Sequence, residues 1–238
     1  MLIGQDFDKI HFNFLGLDLL EPNAIIGDTI IFICSIYFFI KTNSGTNKPA
    51  YFLYWKWFFI VFGVGFFLGG LGHLFYNYTG VPGKYASWYL GIFATFLIEK
   101  AMVSIMEYQR LKKTLVFFIH TKVCVAILSS TYVFLVVDLT VDPSRGLIIP
   151  TINSVIGLGL SLGVLGAVYS NKIHSSFKWL WISSLILIPS AIVQGLKINF
   201  HPWFDRNDIS HIFLTVGLFY YYRHLKLYRN YLDQKLAI

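Results

Sequence analysis

Seven apolar runs, separated by short polar stretches, divide the chain at 24–40, 57–76, 85–106, 114–137, 146–170, 179–196 and 207–222. Each is close to the ~20 residues that carry an α-helix across a hydrocarbon core, and the last reaches that length by borrowing 223–227. Within the runs apolar residues do not alternate with polar ones. Helices are therefore expected, and a barrel is not. The pattern predicts an all-α integral membrane bundle of seven transmembrane helices forming one domain over 1–238. An acidic, amphipathic lead segment (1–22) precedes it and a tail (223–238) follows. There is no internal repeat, low-complexity segment or long linker.

Composition agrees with this picture. Hydrophobic residues make up 56% of the chain and charged residues 13%, a balance that suits lipid as the main solvent. The formal charge of +7 sits in the short connections and not in one patch, so it is read as a topology signal; a nucleic-acid partner is not expected. Lys41, Lys48, Lys56, Arg110, Lys112, Lys113, Lys172, Lys178, Arg223, Lys226, Arg229 and Lys235 fall on one side of the seven spans. Lys9, Lys84, Arg145, Lys197 and Arg206 fall on the other. The richer side is expected to be cytoplasmic, which puts the amino terminus outside and the carboxyl terminus inside a multi-pass membrane protein, in the inner membrane if the host is bacterial. Cys34 and Cys124 lie inside apolar runs and are expected to act as small hydrophobes. The start of the chain lacks a basic n-region, so a cleaved signal peptide is not expected.

Ionisable side chains inside a span cost a few kcal/mol on insertion scales, so each implies a partner or a task. Glu99 and Lys122 come to matched depths in the inner half of the third and fourth spans. They are expected to form a buried ion pair that locks two helices, with a proton path as the alternative. Asp28, His73 and His211 come to one depth near the outer ends of the first, second and seventh spans, counting ~1.5 Å per residue. Asp208 shares a helical face with His211, and His201 and Asp205 lie just before it. Two imidazoles with one or two carboxylates at one depth suit a zinc ion with a position open for water. They also suit a buried polar network that only fixes the packing.

These residues resemble motifs of the seven-transmembrane hydrolase superfamily that includes the alkaline ceramidases and the progestin and adiponectin receptors. That superfamily carries Ser-x-x-x-His in its second core helix and His-x-x-x-His in its last, and the histidines bind zinc. Here the corresponding stretches read Gly69-Gly-Leu-Gly-His73 and Asn207-Asp208-Ile-Ser-His211. Glycine stands for the serine and Asn207 for the middle histidine, a form similar to that of uncharacterised bacterial relatives. The resemblance implies a zinc site of His73, His211 and Asp208, with His201 or Asn207 as substitute ligands. Asp18-Leu-Leu-Glu21-Pro-Asn23 is similar to the calcium-binding entry of the alkaline ceramidases, which would make Asp18, Glu21 and Asn23 ligands for calcium; an ordinary acidic helix start with proline in its first turn is the simpler explanation.

The activity so implied is zinc-dependent hydrolysis of a lipid amide or ester near the outer leaflet. Metal-bound hydroxide would attack the carbonyl, and Asp28 or Asp205 would handle the proton. The expected partner is then a membrane lipid. Two other readings remain open: a non-enzymatic receptor-like bundle or accessory subunit of a membrane complex, and a haem protein with His73 and His211 as axial ligands. A retinal pump is disfavoured because 207–222 contains no lysine. Asn77-Tyr-Thr79 is a glycosylation sequon on the side expected to be external.

Overall fold

The computed structural model describes residues 8–42 and 49–236. The chain opens with a hairpin. Strand β1 (His11–Phe14) pairs antiparallel with β2 (Leu17–Leu20), Phe14 facing Leu17 across a turn of Leu15 and Gly16. Both turn residues have positive φ (51° and 80°), the combination that twists a two-residue loop to match its strands. The hairpin lies within the lead segment and adds a small sheet to an otherwise all-α architecture. Alternation over only four residues per strand is too short to register against the apolar runs that follow. Leu19 and Leu20 are buried, and the Asp18 backbone N–H donates to the Tyr78 hydroxyl at 2.9 Å. The hairpin therefore sits on one end of the bundle.

Glu21, left-handed at φ 52°, turns the chain into α1 (Pro22–Lys41) with proline at the first helical position, where its missing N–H costs nothing. Next come α2 (Pro49–Leu74), the short α3 (Tyr76–Thr79), a 3₁₀ turn (Val81–Lys84) and α4 (Tyr85–Ser104). α5 (Gln109–Val136) leads into a composite helix: α6 (Ser144–Leu158), a π-helical stretch (Gly159–Leu165) and α7 (Gly166–Lys172). Helices α8 (Lys178–Gly195) and α9 (Arg206–Leu236) complete the chain. Six segments, Pro22–Lys41, Ala50–Leu74, Val81–Ser104, Gln109–Val136, Ser144–Lys172 and Ser175–Gly195, are long and apolar enough to cross a membrane. α9 is the seventh long helix, and it runs through to Leu236 without stopping at 222. Its far half is packed, since His224, Leu225 and Tyr228 are buried, so residues 223–236 continue the helix and extend the bundle.

The core is aromatic and lies toward the end opposite the hairpin. Tyr51, Trp55 and Phe58 of α2 meet Phe177, Tyr221 and Tyr228 in edge-to-face and tilted contacts, a geometry the ring quadrupole favours. The outer surface is the reverse of a soluble protein's: Phe117, Leu128 and Leu135 on α5 stand largely exposed. Such a surface is stable when lipid covers it.

Candidate functional site at the hairpin end of the bundle

α1 packs against both α2 and α9, which brings most of the sequence-selected polar residues to the hairpin end. Asp28, 4% exposed, places Oδ1 3.1 Å from His211 Nε2. Two glycines allow this approach. A β-carbon at Gly27 would stand 2.3 Å from His211 Nδ1, and one at Gly70 would stand 2.9 Å from Asp28 Cβ and Oδ2. The His211 ring thus lies flush on α1, and Nδ1 is buried without a hydrogen-bond partner. Gly69, where the resembled family has serine, faces α4 instead; its β-carbon would lie 3.0 Å from Ser87 Oγ.

His73 belongs to a second cluster, around Glu21. Its Nδ1 lies 2.5 Å from Glu21 Oε2, and Lys84 Nζ stands 3.2 Å from Nε2. Lys9 Nζ reaches the same Glu21 oxygen at 3.2 Å. Burial, the largest single influence, pushes the Glu21 pKa up, but the His73 hydrogen bond and the charges of His73, Lys9 and Lys84 outweigh it and hold the carboxyl down at about 2. Glu21 is the centre of this end, and Lys84, which reads in sequence as a topology charge, is one of its partners.

The start of α9 forms the third group. Asp208 Oδ2 accepts from Asn23 Nδ2 at 2.8 Å and from the Asp205 backbone N–H at 2.9 Å. Asp205 Oδ1 accepts from the backbone N–H groups of Asn207 (2.6 Å) and Asp208 (3.3 Å), satisfying orphan donors of the first turn. Burial raises the Asp205 pKa, and repulsion from Asp208 and Glu21 adds to the rise. Asn207 Oδ1 accepts from Gln194 Nε2 at 3.1 Å. His201 lies apart, exposed in a turn closed on Phe204, with its Nδ1 accepting from the Trp203 N–H.

As placed, His73 presents one ring nitrogen to a carboxylate and the other to an ammonium, His211 turns its free nitrogen onto α1, and Asp208 caps a turn. They do not converge as a zinc set, and among the described residues no group of three or more His, Cys, Asp or Glu is arranged to hold a metal ion. The calcium trio is likewise divided: Asp18 is held by Asn77 (2.9 Å) and His11 (3.3 Å), Glu21 by His73, and Asn23 by Asp208. Nor do His73 and His211, with their ring nitrogens so engaged, face one another as axial haem ligands would. Asp28 and Asp205 act here as a histidine partner and a helix cap. Between the groups lies a recess of about 230 Å³ walled by Lys9, Glu21, Asn23, Asn199, Asp205 and Arg206.

Deeper in the bundle, Glu99 (α4) and Lys122 (α5) form the expected buried ion pair at 3.2 Å. Asn153 of α6 is an added partner, accepting from Lys122 Nζ through Oδ1 at 2.5 Å. Sequence depth alone gives no sign of this third helix. A further buried pair escaped the sequence: His224 Nε2 lies 2.6 Å from the Tyr51 hydroxyl, in a part of α9 that reads as a tail.

Six segments long and apolar enough to cross a membrane, around an aromatic core in which Glu99 pairs with Lys122 and Asp28 with His211, define a multi-pass helical membrane protein. The chain belongs to a family of unknown function, DUF6962, which matches residues 24–230. No curated protein and no solved structure matches it.

Proposed function

We propose that the chain is a seven-helix membrane protein, amino end outside and carboxyl end inside the cell, that acts as a receptor-like, non-enzymatic bundle, alone or within a larger membrane assembly. The observation that carries this reading is the engagement of the candidate site residues with one another. Glu21–His73, Asp28–His211 and Asn23–Asp208 each tie two elements of the bundle together, so these groups close the outer end and do not meet at a reacting centre. The recess above them carries charge of both signs, which suits recognition of a small polar molecule arriving from outside. Orientation rests on the asymmetry of basic residues. Reporter fusions at Ala237 should read cytoplasmic and fusions in the 141–145 loop external; the opposite result at both sites would invert it.

One observation favours the rival reading, a zinc-dependent lipid hydrolase: His211 keeps a buried ring nitrogen without a partner while Asp28 orients the other, as a carboxylate does behind many zinc-bound histidines. Metal analysis after purification without chelators separates the two. The receptor-like reading expects far less than one equivalent of zinc and no change on His73→Ala. About one equivalent, lost in both His73→Ala and His211→Ala and strengthened by Asn207→His, would replace it with the hydrolase.

A further inference from the structure

Helix α5 is the least covered of the six spanning segments: 17% of its apolar stretch is buried, against 28–50% in the other five. Its buried residues Ile119, Ala126 and Ser130 mark the side that packs on α4 and α6. Counting about 100° per residue, Phe117, Thr121, Cys124, Leu128 and Leu135 point the opposite way, and all five are exposed. They follow one another at intervals of four, three, four and seven residues. That is the spacing of a coiled-coil seam, here on a face turned away from the bundle.

The middle of this seam is polar. Thr121 and Cys124 lie within about 3 Å, along the axis, of the midpoint of Gln109–Val136, and His120 borders them on the exposed side. The Thr114 and Thr131 hydroxyls donate to the carbonyls of Arg110 and Ile127 one turn back, at 3.2 and 2.8 Å, whereas among the described residues the Thr121 hydroxyl has no partner. His120 Nδ1 donates to the Val116 carbonyl at 2.7 Å and the ring stands edge-on to Phe96; among the described residues Nε2 has no partner either. Cys124 is a free thiol. At the same depth on α1 the exposed residues are Ile30, Ile33 and Tyr37. Hydrocarbon offers a bare hydroxyl or imidazole nothing to bond, so this stretch of α5 gains most from being covered.

We infer that the outer face of α5 is the interface of a homodimer, in which two copies cross in parallel about a twofold axis normal to the membrane with Thr121 and Cys124 at the centre. Copies inserted the same way place each residue at one depth. The polar middle of one seam therefore meets that of the other, and Phe117, Leu128 and Leu135 meet their own kind on either side of it. A different protein would need a polar patch matched in depth; a second copy has one by symmetry. The small side chains of Thr121 and Cys124 let the backbones approach, and the hydroxyl gains a partner across the seam. Beyond Phe117, Arg110 and Lys113 are exposed, and their charges end the contact at the membrane surface. The interface is the same whichever side each terminus faces and whatever the hairpin end recognises.

Cross-linking of the full-length protein in its membrane, with copper phenanthroline as oxidant, provides the first test. The wild type should form a disulfide-linked dimer through Cys124, and Cys124→Ala should abolish it. In a C34A/C124A background, a single cysteine introduced by Thr121→Cys or Leu128→Cys should cross-link, and one introduced by Phe118→Cys or Val125→Cys, about a quarter-turn around the helix, should not. Sedimentation equilibrium in detergent gives the second test: a monomer–dimer equilibrium that Thr121→Val, which keeps the shape and removes the hydroxyl, weakens roughly threefold or more. Thr121→Trp should abolish association, and Ile33→Trp on the exposed face of α1 should leave it unchanged. The wild-type cross-link needs no substitution, so a variant that fails to fold does not remove the test. A chain that is monomeric in lipid vesicles, cross-links of equal yield on and off the seam, a dimer indifferent to both Thr121→Val and Thr121→Trp, or a monomer that retains a lipid or a different protein on this face would each overturn the assignment.

Discussion

The Glu99–Lys122 pair is where the energetics of this bundle are most open to test. Glu99 is 2% exposed and has no hydrogen-bond partner for Oε2 apart from its ion pair at 3.2 Å. Lys122 is better provided for: besides Glu99 it donates to Asn153 Oδ1 at 2.5 Å and to the Asn153 carbonyl at 3.3 Å. Removing one partner of a buried pair strands the other at about 3–5 kcal/mol, and the two single substitutions should differ. Lys122→Met leaves a carboxylate against Gly157, whose β-carbon position is 3.0 Å from Oε1, and belongs at the upper end of that range. Glu99→Gln leaves an ammonium that still has two acceptors, and should cost about 2–3 kcal/mol.

Replacing both partners removes the stranded charge, so the double variant should be less destabilised than the sum, with a coupling of about 1.5 kcal/mol or more. Reversible unfolding in mixed micelles measures all four proteins on one scale. Losses that add to within about 0.5 kcal/mol, or a Glu99→Gln variant worse than Lys122→Met, would refute the argument that Asn153 shares the lysine charge.

Glu21 gives a pH prediction. Its folded pKa of about 2 lies below the ordinary 4.5, so its contribution, about 3 kcal/mol, is present above pH 4.5 and is lost as the pH falls toward 2; Glu21→Gln should flatten the acid limb of a stability-pH curve. Gly27→Ala should destabilise by about 1–3 kcal/mol, because the new methyl meets His211 Nδ1, and the same substitution made in a His211→Ala background should cost much less. If Gly27→Ala is silent in thermal denaturation, His211 does not pack on α1. Tyr51→Phe should lower stability by about 1–3 kcal/mol, since it leaves the fully buried His224 without its 2.6 Å partner; an unchanged melting midpoint would refute that contact.

The helices were legible because hydrophobic length needs no tertiary information: a run such as 114–137 has one stable conformation in lipid, and Gln109–Val136 is helical. Glu99 and Lys122 were legible for a similar reason, since antiparallel neighbours convert sequence position into depth. The ends were not. A two-residue turn with both φ values positive at Leu15 and Gly16, and a left-handed Glu21, are local events with no periodicity to announce them. Nor could the continuation of α9 to Leu236 be read from Arg223, Lys226 and Arg229, because the helix there is stabilised by the burial of His224 and Tyr228 between those charges.

The hairpin end shows how depth and convergence differ. Counting residues places Asp28, His73 and His211 together, yet depth fixes one coordinate of three. Gly70 is the residue of α2 that touches Asp28, and His73, three positions further on, is carried toward the hairpin, where Glu21 and Lys84 receive it. His211 stays with Asp28 because Gly27 lets its ring lie against α1. The same small-residue pattern that makes Gly69-Gly-Leu-Gly-His73 resemble a hydrolase motif thus has a packing cause at two of its glycines: Gly70 admits the Asp28 carboxylate, and Gly72 brings α2 within 2.7 Å of the Gly83 carbonyl, measured from the position of a β-carbon. Each close approach places an acid, a base or a backbone group where lipid cannot reach it. The polar partners across the interface then become the means by which those groups avoid being buried alone.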